Sequence, residues 1–376
     1  MRGISLSSFL VAAALALAGC QTSNKPAATT AEIVIGVAGP VTGDLSQFGA
    51  QLKQGAEKAV ADINAAGGVL GKQVKLEEVD DKCDPKQAAG VAQDLVSRGV
   101  VFVDGHFCSG SSIPAASVYG GAGVLQITPA SSNPALTDGA SGGTVFRTCG
   151  RDDFQGKFAG EWLAEHYQGK RVAIVHDGSP YGAGIAALAK TAMNDGGLKE
   201  VLYERITAGQ NDYSGIVGKL RAANVGAVYF AGYHNEAAAI LRQMRAAGIR
   251  APLFGADALQ TQEFATLAGN AANGVMFTSL GDARKQPEAA QLVDEFRKAG
   301  FEPEGYTLYS YAAVQLWAQG ATHASTTDAA KVAQTLRSAY WNTVLGPLSF
   351  DAKGDVAQQF YVWYVFHNGQ YEMAKM

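Results

Sequence analysis

Two stretches of this chain gather hydroxyl groups where an anion could be held. Gly105-His106-Phe107-Cys108-Ser109-Gly110-Ser111-Ser112 follows the apolar run Val100–Val103, and Thr128-Pro129-Ala130-Ser131-Ser132-Asn133-Pro134 follows Val124-Leu125-Gln126-Ile127. A serine-rich turn feeding a helix start offers O–H donors and unpaired backbone N–H groups, and the helix end adds partial positive charge. That combination suits a carboxylate. Either segment alone also fits a capped turn that binds only itself. Two of them at strand ends in one half favour a ligand. In the second half, Phe230 runs into Ala231-Gly232-Tyr233-His234, and Phe254 runs into Gly255-Ala256-Asp257. A phenol and a carboxylate at neighbouring strand ends suit an ammonium group, while a plain helix cap fits Asp257 equally well. Anion receptors in one half and a cation receptor in the other describe a zwitterion bound between them.

Other chemistry has little support. The loop after the first strand, Gly39-Pro40-Val41-Thr42-Gly43-Asp44, lacks the dinucleotide fingerprint, and no phosphate-binding Gly-Lys-Ser/Thr loop occurs. His106 and Cys108 lie close together, but no further metal ligands follow at fixed spacing. His176-Asp177 ends a strand and fits a cap for the next loop better than a catalytic dyad. No catalytic residue, metal or cofactor is assigned. Thirty basic against 34 acidic residues give a net charge of −4, and no basic block advertises a nucleic-acid face.

The elements that must position these groups alternate along the chain. Strands are expected at Ile33–Val37, Val74–Val79, Val100–Val103 and Val124–Ile127. Helices between them run from Gln47 to Ala65, from Pro85 to Ser97 after an Asp84 cap, and from near Ser112. After an irregular stretch at Thr148–Asp152 the pattern restarts. Strands at Arg171–Val175, Val201–Ile206, Val225–Phe230, Leu253-Phe254 and Val275–Thr278 alternate with helices at Tyr181–Asp195, Tyr213–Ala223 and Glu236–Ala247. Helices without strands fill Pro287–Ser338, and Gln359–Val365 with Asn368-Gly369 reads as a strand and hairpin turn. Two βαβ series, in a chain too long for one ordinary core, predict two α/β lobes built on parallel sheets.

The first twenty residues read as an address. Arg2 precedes the apolar run Leu6–Leu17, which is too short for a membrane span, and Leu17-Ala18-Gly19-Cys20 resembles the bacterial lipobox. An ordinary small-residue cleavage site is the alternative. Gln21–Thr30 reads as a tether. The expectation is an exported chain, periplasmic or in the cell envelope, touching the membrane only through lipid on Cys20. In an oxidising compartment Cys83 and Cys108, 25 residues apart, are disulfide candidates, and Cys149 is then a buried, reduced thiol.

Asp80-Asp81-Lys82-Cys83-Asp84-Pro85-Lys86-Gln87-Ala88 with Gly105-His106-Phe107-Cys108-Ser109 closely resembles the leucine/isoleucine/valine-binding protein family. Ile127-Thr128-Pro129-Ala130, Ala173-Ile174-Val175-His176-Asp177, Ala231-Gly232-Tyr233-His234 and Gly346-Pro347-Leu348 fit it in the same order. The resemblance implies an α/β, two-lobe type I periplasmic binding protein fold. Each lobe is a mostly parallel sheet flanked by helices, and three hinge strands pass near Thr148, Ser279 and Gln358. The lobes are then residues 31–148 with 280–358 and residues 149–279 with 359–376. It implies that Cys83 pairs with Cys108. It also implies that Ser109, the Ala130 backbone and Ser132 hold the ligand carboxylate, and that Tyr233, Asp257 and the Ala130 carbonyl hold the ammonium. Phe48, Phe107, Tyr181 and Tyr306 surround the side chain. The partners implied are a free amino acid and the membrane permease of an ABC-type importer, with the chain itself a monomer.

The chain departs from the best-known family members at Asp257, where they carry glutamate, at Phe107, where they carry a small aliphatic residue, and at Ser131-Ser132, where they carry Ala-Thr. Two rings, Phe107 and Tyr306, narrow the expected pocket. The predicted ligand is a branched-chain or other small neutral amino acid: valine, alanine, leucine, isoleucine or γ-aminobutyrate, with the slim ones ahead of leucine. The alternative function is a ligand-sensing receptor of the same fold for amino acids or amides, and an α/β enzyme ranks third.

Overall fold

The computed structural model describes residues 32–139 and 142–375, so the expected signal peptide, tether and Cys20 lie outside the described residues. Ile33–Gly39 (β1) is nearly all buried. Ser46–Ala65 (α1) turns Phe48, Leu52, Ala56, Ala59 and Val60 inward at helical spacing. Val74–Asp80 (β2), Pro85–Ser97 (α2) and Phe102–Gly105 (β3) follow. Asp84 caps α2 by accepting the Lys86 N–H at 3.0 Å, as its sequence predicts. Ser109–Ala122 (α3) begins three residues earlier than expected. Cys108 takes an extended conformation there and its carbonyl accepts the N–H groups of Ser111 and Ser112, both at 2.9 Å. Ser109 is therefore the first residue of the helix. Leu125–Thr128 (β4), Ala135–Asp138 (α4) and Val145–Arg147 (β5) complete this series.

The second series is Asp152–His166 (α5), Val172–His176 (β6), Pro180–Asp195 (α6), Leu202–Arg205 (β7), Ser214–Ala222 (α7), Ala227–Ala231 (β8), His234–Ala246 (α8), Leu253–Gly255 (β9), Gln262–Ala268 (α9) and Met276–Leu280 (β10). Ala290–Lys298 (α10), Thr307–Ala324 (α11) and Ala329–Arg337 (α12) follow without strands between them. The hairpin Trp341–Thr343 (β11) and Gly346–Leu348 (β12) comes next, then Tyr361–His367 (β13) and Gln370–Met373 (β14). Asn368 and Gly369, at φ 49° and 76°, make the β13–β14 turn in the conformation an Asn-Gly hairpin favours.

Helix α5 was not foreseen, and the reason is its packing. It lies against α6 through glycines. A side chain at Gly156 would stand 2.7 Å from Leu188 Cβ, and one at Gly160 would stand 2.3 Å from the Ala189 carbonyl oxygen. A contact face made of small residues hides the apolar periodicity that reveals a helix.

One sheet has the order β2-β1-β3-β4-β5, all parallel. The other runs β14-β13-β10-β9-β8-β6-β7, in which β7-β6-β8-β9-β10 repeats the same doubly wound order and the β13–β14 hairpin adds antiparallel strands at the edge. The strand order reverses between β1 and β3 and again between β6 and β8. Loops leaving the carboxyl ends of strands diverge at such points and leave a crevice. The first sheet is covered by α11, where Trp317 stacks on Phe102 with ring centroids 5.3 Å apart.

Cys83 and Cys108 form a disulfide that ties the turn before α2 to the start of α3, and Cys149 is a buried free thiol. Closing that loop is worth about 3–4 kcal/mol in the chain-entropy model. Alkylation of the unreduced mature protein under denaturing conditions is expected to label Cys149 alone. Labelling of three thiols, or of none, contradicts the assignment.

Candidate functional site: a cleft between two strand-end loop sets

The loops after β3 and β4 form one wall. Ser109 opens α3, and its Oγ accepts the Asn133 N–H at 3.3 Å, leaving its own proton for another acceptor. Ser132 is buried, and its Oγ has no partner among the described residues. The Ala130 N–H is directed to Thr128 Oγ1 at 3.2 Å. Ser131 does not present its hydroxyl to the cleft. That group turns inward, 2.7 Å from Ser112 Oγ and 2.9 Å from the Phe107 carbonyl oxygen, so it laces the two loops together. Behind them, buried His106 bridges Asp81 at 2.6 Å and Tyr119 at 3.0 Å, a contact that fixes the disulfide-bearing turn.

The opposite wall comes from the loops after β6, β8 and β9. Asp257 accepts the Tyr181 hydroxyl on one oxygen at 2.7 Å and the Tyr306 hydroxyl on the other at 2.8 Å. Tyr306 stands at the start of α11, which packs on the first sheet, so this carboxylate joins the two halves. Burial raises the Asp257 pKa, and the two phenols oppose the rise. Tyr233 reaches across to Cys108 Sγ at 3.1 Å. The walls also meet where Asn133 Nδ2 donates to the Pro180 carbonyl at 2.8 Å and Asn235 Nδ2 donates to the Asp44 carbonyl at 2.7 Å. These contacts describe a closed cleft.

Aromatic rings fill its flank. Phe107, 4% exposed, stacks on Phe48 with centroids 4.4 Å apart, meets the Tyr306 ring edge-on at 5.1 Å and faces Tyr233 at 6.3 Å. Tyr181 and Tyr233 lie 5.4 Å apart. Phe48 and Phe107 thus belong to the first core and both meet the Tyr306 ring edge-on. His176 and Asp177 are a loop cap: Asp177 accepts the Ser179 N–H at 2.8 Å, and Ser179 in turn caps α6.

Two features escaped the sequence reading. Arg147, fully buried, donates to Asp355 at 2.6 Å and to the carbonyl oxygens of Ser131 at 2.7 Å and Asn133 at 3.2 Å. It holds the loop after β4 from behind. Asp152, the first residue of α5, sits against Ser132, whose carbonyl accepts its N–H at 3.0 Å.

A pair of doubly wound sheets facing each other across a polar cleft defines a two-lobe binding protein, and residues 32–370 match the family model for periplasmic binding proteins. Similar proteins include an amino acid binding protein of Pseudomonas aeruginosa, 46% identical over 354 residues, covering 93% of this chain and 94% of that one. Leu/Ile/Val-binding protein homolog 1 of Brucella melitensis is 44% identical over 340 residues, covering 90% and 91%. A solved structure of the branched-chain amino acid transporter substrate binding protein LivJ from Streptococcus pneumoniae, in complex with isoleucine, superposes with a TM-score of 0.82 at 29% identity, covering 92% of this chain and 100% of that one. The chain belongs to the Leu/Ile/Val-binding protein family of type I periplasmic binding proteins, a family of binding proteins and not of enzymes.

Proposed function

We propose that this chain is the substrate-binding component of an ABC-type importer, capturing a small neutral amino acid of the branched-chain class as a zwitterion. The carrying observation is the opposition across the cleft of the α3 start, with Ser109 and Ser132, to Asp257, which takes phenol hydroxyls from both walls. The Brucella relative's name and the isoleucine in the pneumococcal structure support the ligand class. In this reading, lobes 31–148 with 280–358 and 149–279 with 359–376 open and close about the crossings near Thr148, Ser279 and Gln358. Lipid on Cys20 tethers the monomer to a membrane beside its permease.

A thermal-shift screen against free amino acids and their N-acetyl and amide forms tests the reading. A ligand at a hundred times its Kd adds about 2.7 kcal/mol of stability. Stabilisation by a free amino acid with none from its blocked forms is expected. No response to any free amino acid, or an equal response to the N-acetyl form, overturns it.

The rings at Phe107 and Tyr306 favour alanine, valine or an equally slim ligand such as γ-aminobutyrate over leucine. Overfilling a packed site costs about 1–3 kcal/mol, roughly ten- to a hundredfold in affinity. Phe107→Leu is expected to improve leucine binding relative to alanine in calorimetric titration. If the wild type already prefers leucine and the variant keeps the same rank order, Phe107 is core and not a wall of the site.

A further inference from the structure

Asp152 is 0% exposed, and neither of its carboxyl oxygens has a hydrogen-bond partner among the described residues. Its neighbourhood is rich in other polar atoms left unmatched: Ser132 Oγ on the facing loop, Gln155 Oε1 one turn along α5, and the Tyr229 hydroxyl of β8. Burial, and then the charge of Asp257, push the Asp152 pKa up to about 8. The Ser132 hydroxyl, near but short of hydrogen-bond geometry, and Arg147 pull the other way, and Asp153 adds slightly to the rise. Arg147 is committed to Asp355 and to the loop carbonyls. The phenols of Tyr181, Tyr229, Tyr233 and Tyr361 all lie within reach of the Asp152 charge, and none neutralises it. A buried carboxylate without a counter-charge is not tolerated in its ionised form. This group either keeps a proton or receives a cation.

We propose that Asp152 is the second carboxyl of the ammonium site, ionising when a ligand ammonium arrives beside Asp257 and giving its proton to solvent. This rests on the amino-acid reading above and adds a residue to it. The balance is simple: the empty Asp152–Asp257 pair holds one proton, the occupied pair holds the ammonium between two carboxylates, and one proton leaves to the buffer. The complex favours the charged form of Asp152, so its pKa is lower bound than free. Affinity therefore rises with pH while the free group still holds its proton and levels off above about 8.

Isothermal titration of the whole chain with L-alanine and L-valine at pH 6, 7 and 8, in phosphate and in Tris, reads the proton count from the difference in heats. Wild type is expected to release close to one proton at pH 7, with Kd falling toward about tenfold per pH unit at full linkage. Asp152→Asn copies the neutral carboxyl. It is expected to keep the thermal midpoint, lose both the proton release and the pH slope, and bind about tenfold or more weakly at pH 8. Wild-type binding without proton release, or release that persists in Asp152→Asn, overturns the proposal. If that variant fails to fold, the wild-type proton count decides. A wild type that binds no free amino acid at any pH overturns the amino-acid reading itself, and this proposal with it.

Discussion

Asp257→Ala is expected to weaken amino-acid binding by about 2–5 kcal/mol, a Kd increase of roughly thirtyfold to several thousandfold. The cost has two sources. On the proposed reading, the ligand ammonium is left in a closed cleft without its counter-charge. The hydroxyls of Tyr181 and Tyr306 lose their common acceptor, and with it goes one of the contacts that join the two walls. Ser109→Ala removes one neutral donor from a wall with several and should cost about 1–3 kcal/mol. Calorimetric titration of both variants with the ligand found by screening makes the comparison. Equal losses would mean that the ammonium does not sit at Asp257.

Arg147→Ala is expected to lower folding stability by about 3–5 kcal/mol, the usual cost of removing one partner of a buried ion pair. Asp355 would still be held by Arg151 at 2.6 Å and by Thr137, which places the loss toward the lower end of that range. Binding should suffer as well, because the carbonyl oxygens of Ser131 and Asn133 would lose the guanidinium that fixes their loop. Denaturant unfolding of Arg147→Ala and Arg147→Lys measures it. Lysine keeps the charge but not the fork, so only partial rescue is expected. A change below about 1 kcal/mol for the alanine variant would show that Arg147 is not the support described.

The difference between what the sequence reveals and what it hides follows from the physics of each segment. Strands such as Val172–His176 and Ala227–Ala231 are buried on both faces and read as continuous apolar runs. The Asp84-Pro85 start of α2 is a local signal and was legible for that reason. The strand-end serines were legible as a set, but their division of labour was not. Ser131 and Ser132 are adjacent and chemically identical, and only the fold turns the first inward and leaves the second unpaired. Asp152 reads in sequence as an ordinary acid at a helix start. The role proposed for it depends on the charge of Asp257, which stands at the end of another strand and raises the Asp152 pKa. Arg147 was invisible for the same reason, since its carboxylate partner lies 208 residues away.

The attachment of α11 to the first sheet has a consequence for the order of folding. The Tyr306 N–H bonds to Gln51, and Ser310 Oγ bonds to the Leu52 carbonyl, across separations of 255 and 258 residues. Arg147 ends the last strand of that sheet, yet α1 covers only part of its apolar face, and Phe102 lacks its Trp317 partner until α11 has been synthesised. The intervening segment, with its local βαβ units from α5 to β10, can begin to assemble sooner. Contacts this distant in sequence are slow to form, because the chain must close a very long loop before they reward it. A chain delivered amino end first therefore stays incompletely folded for most of its synthesis.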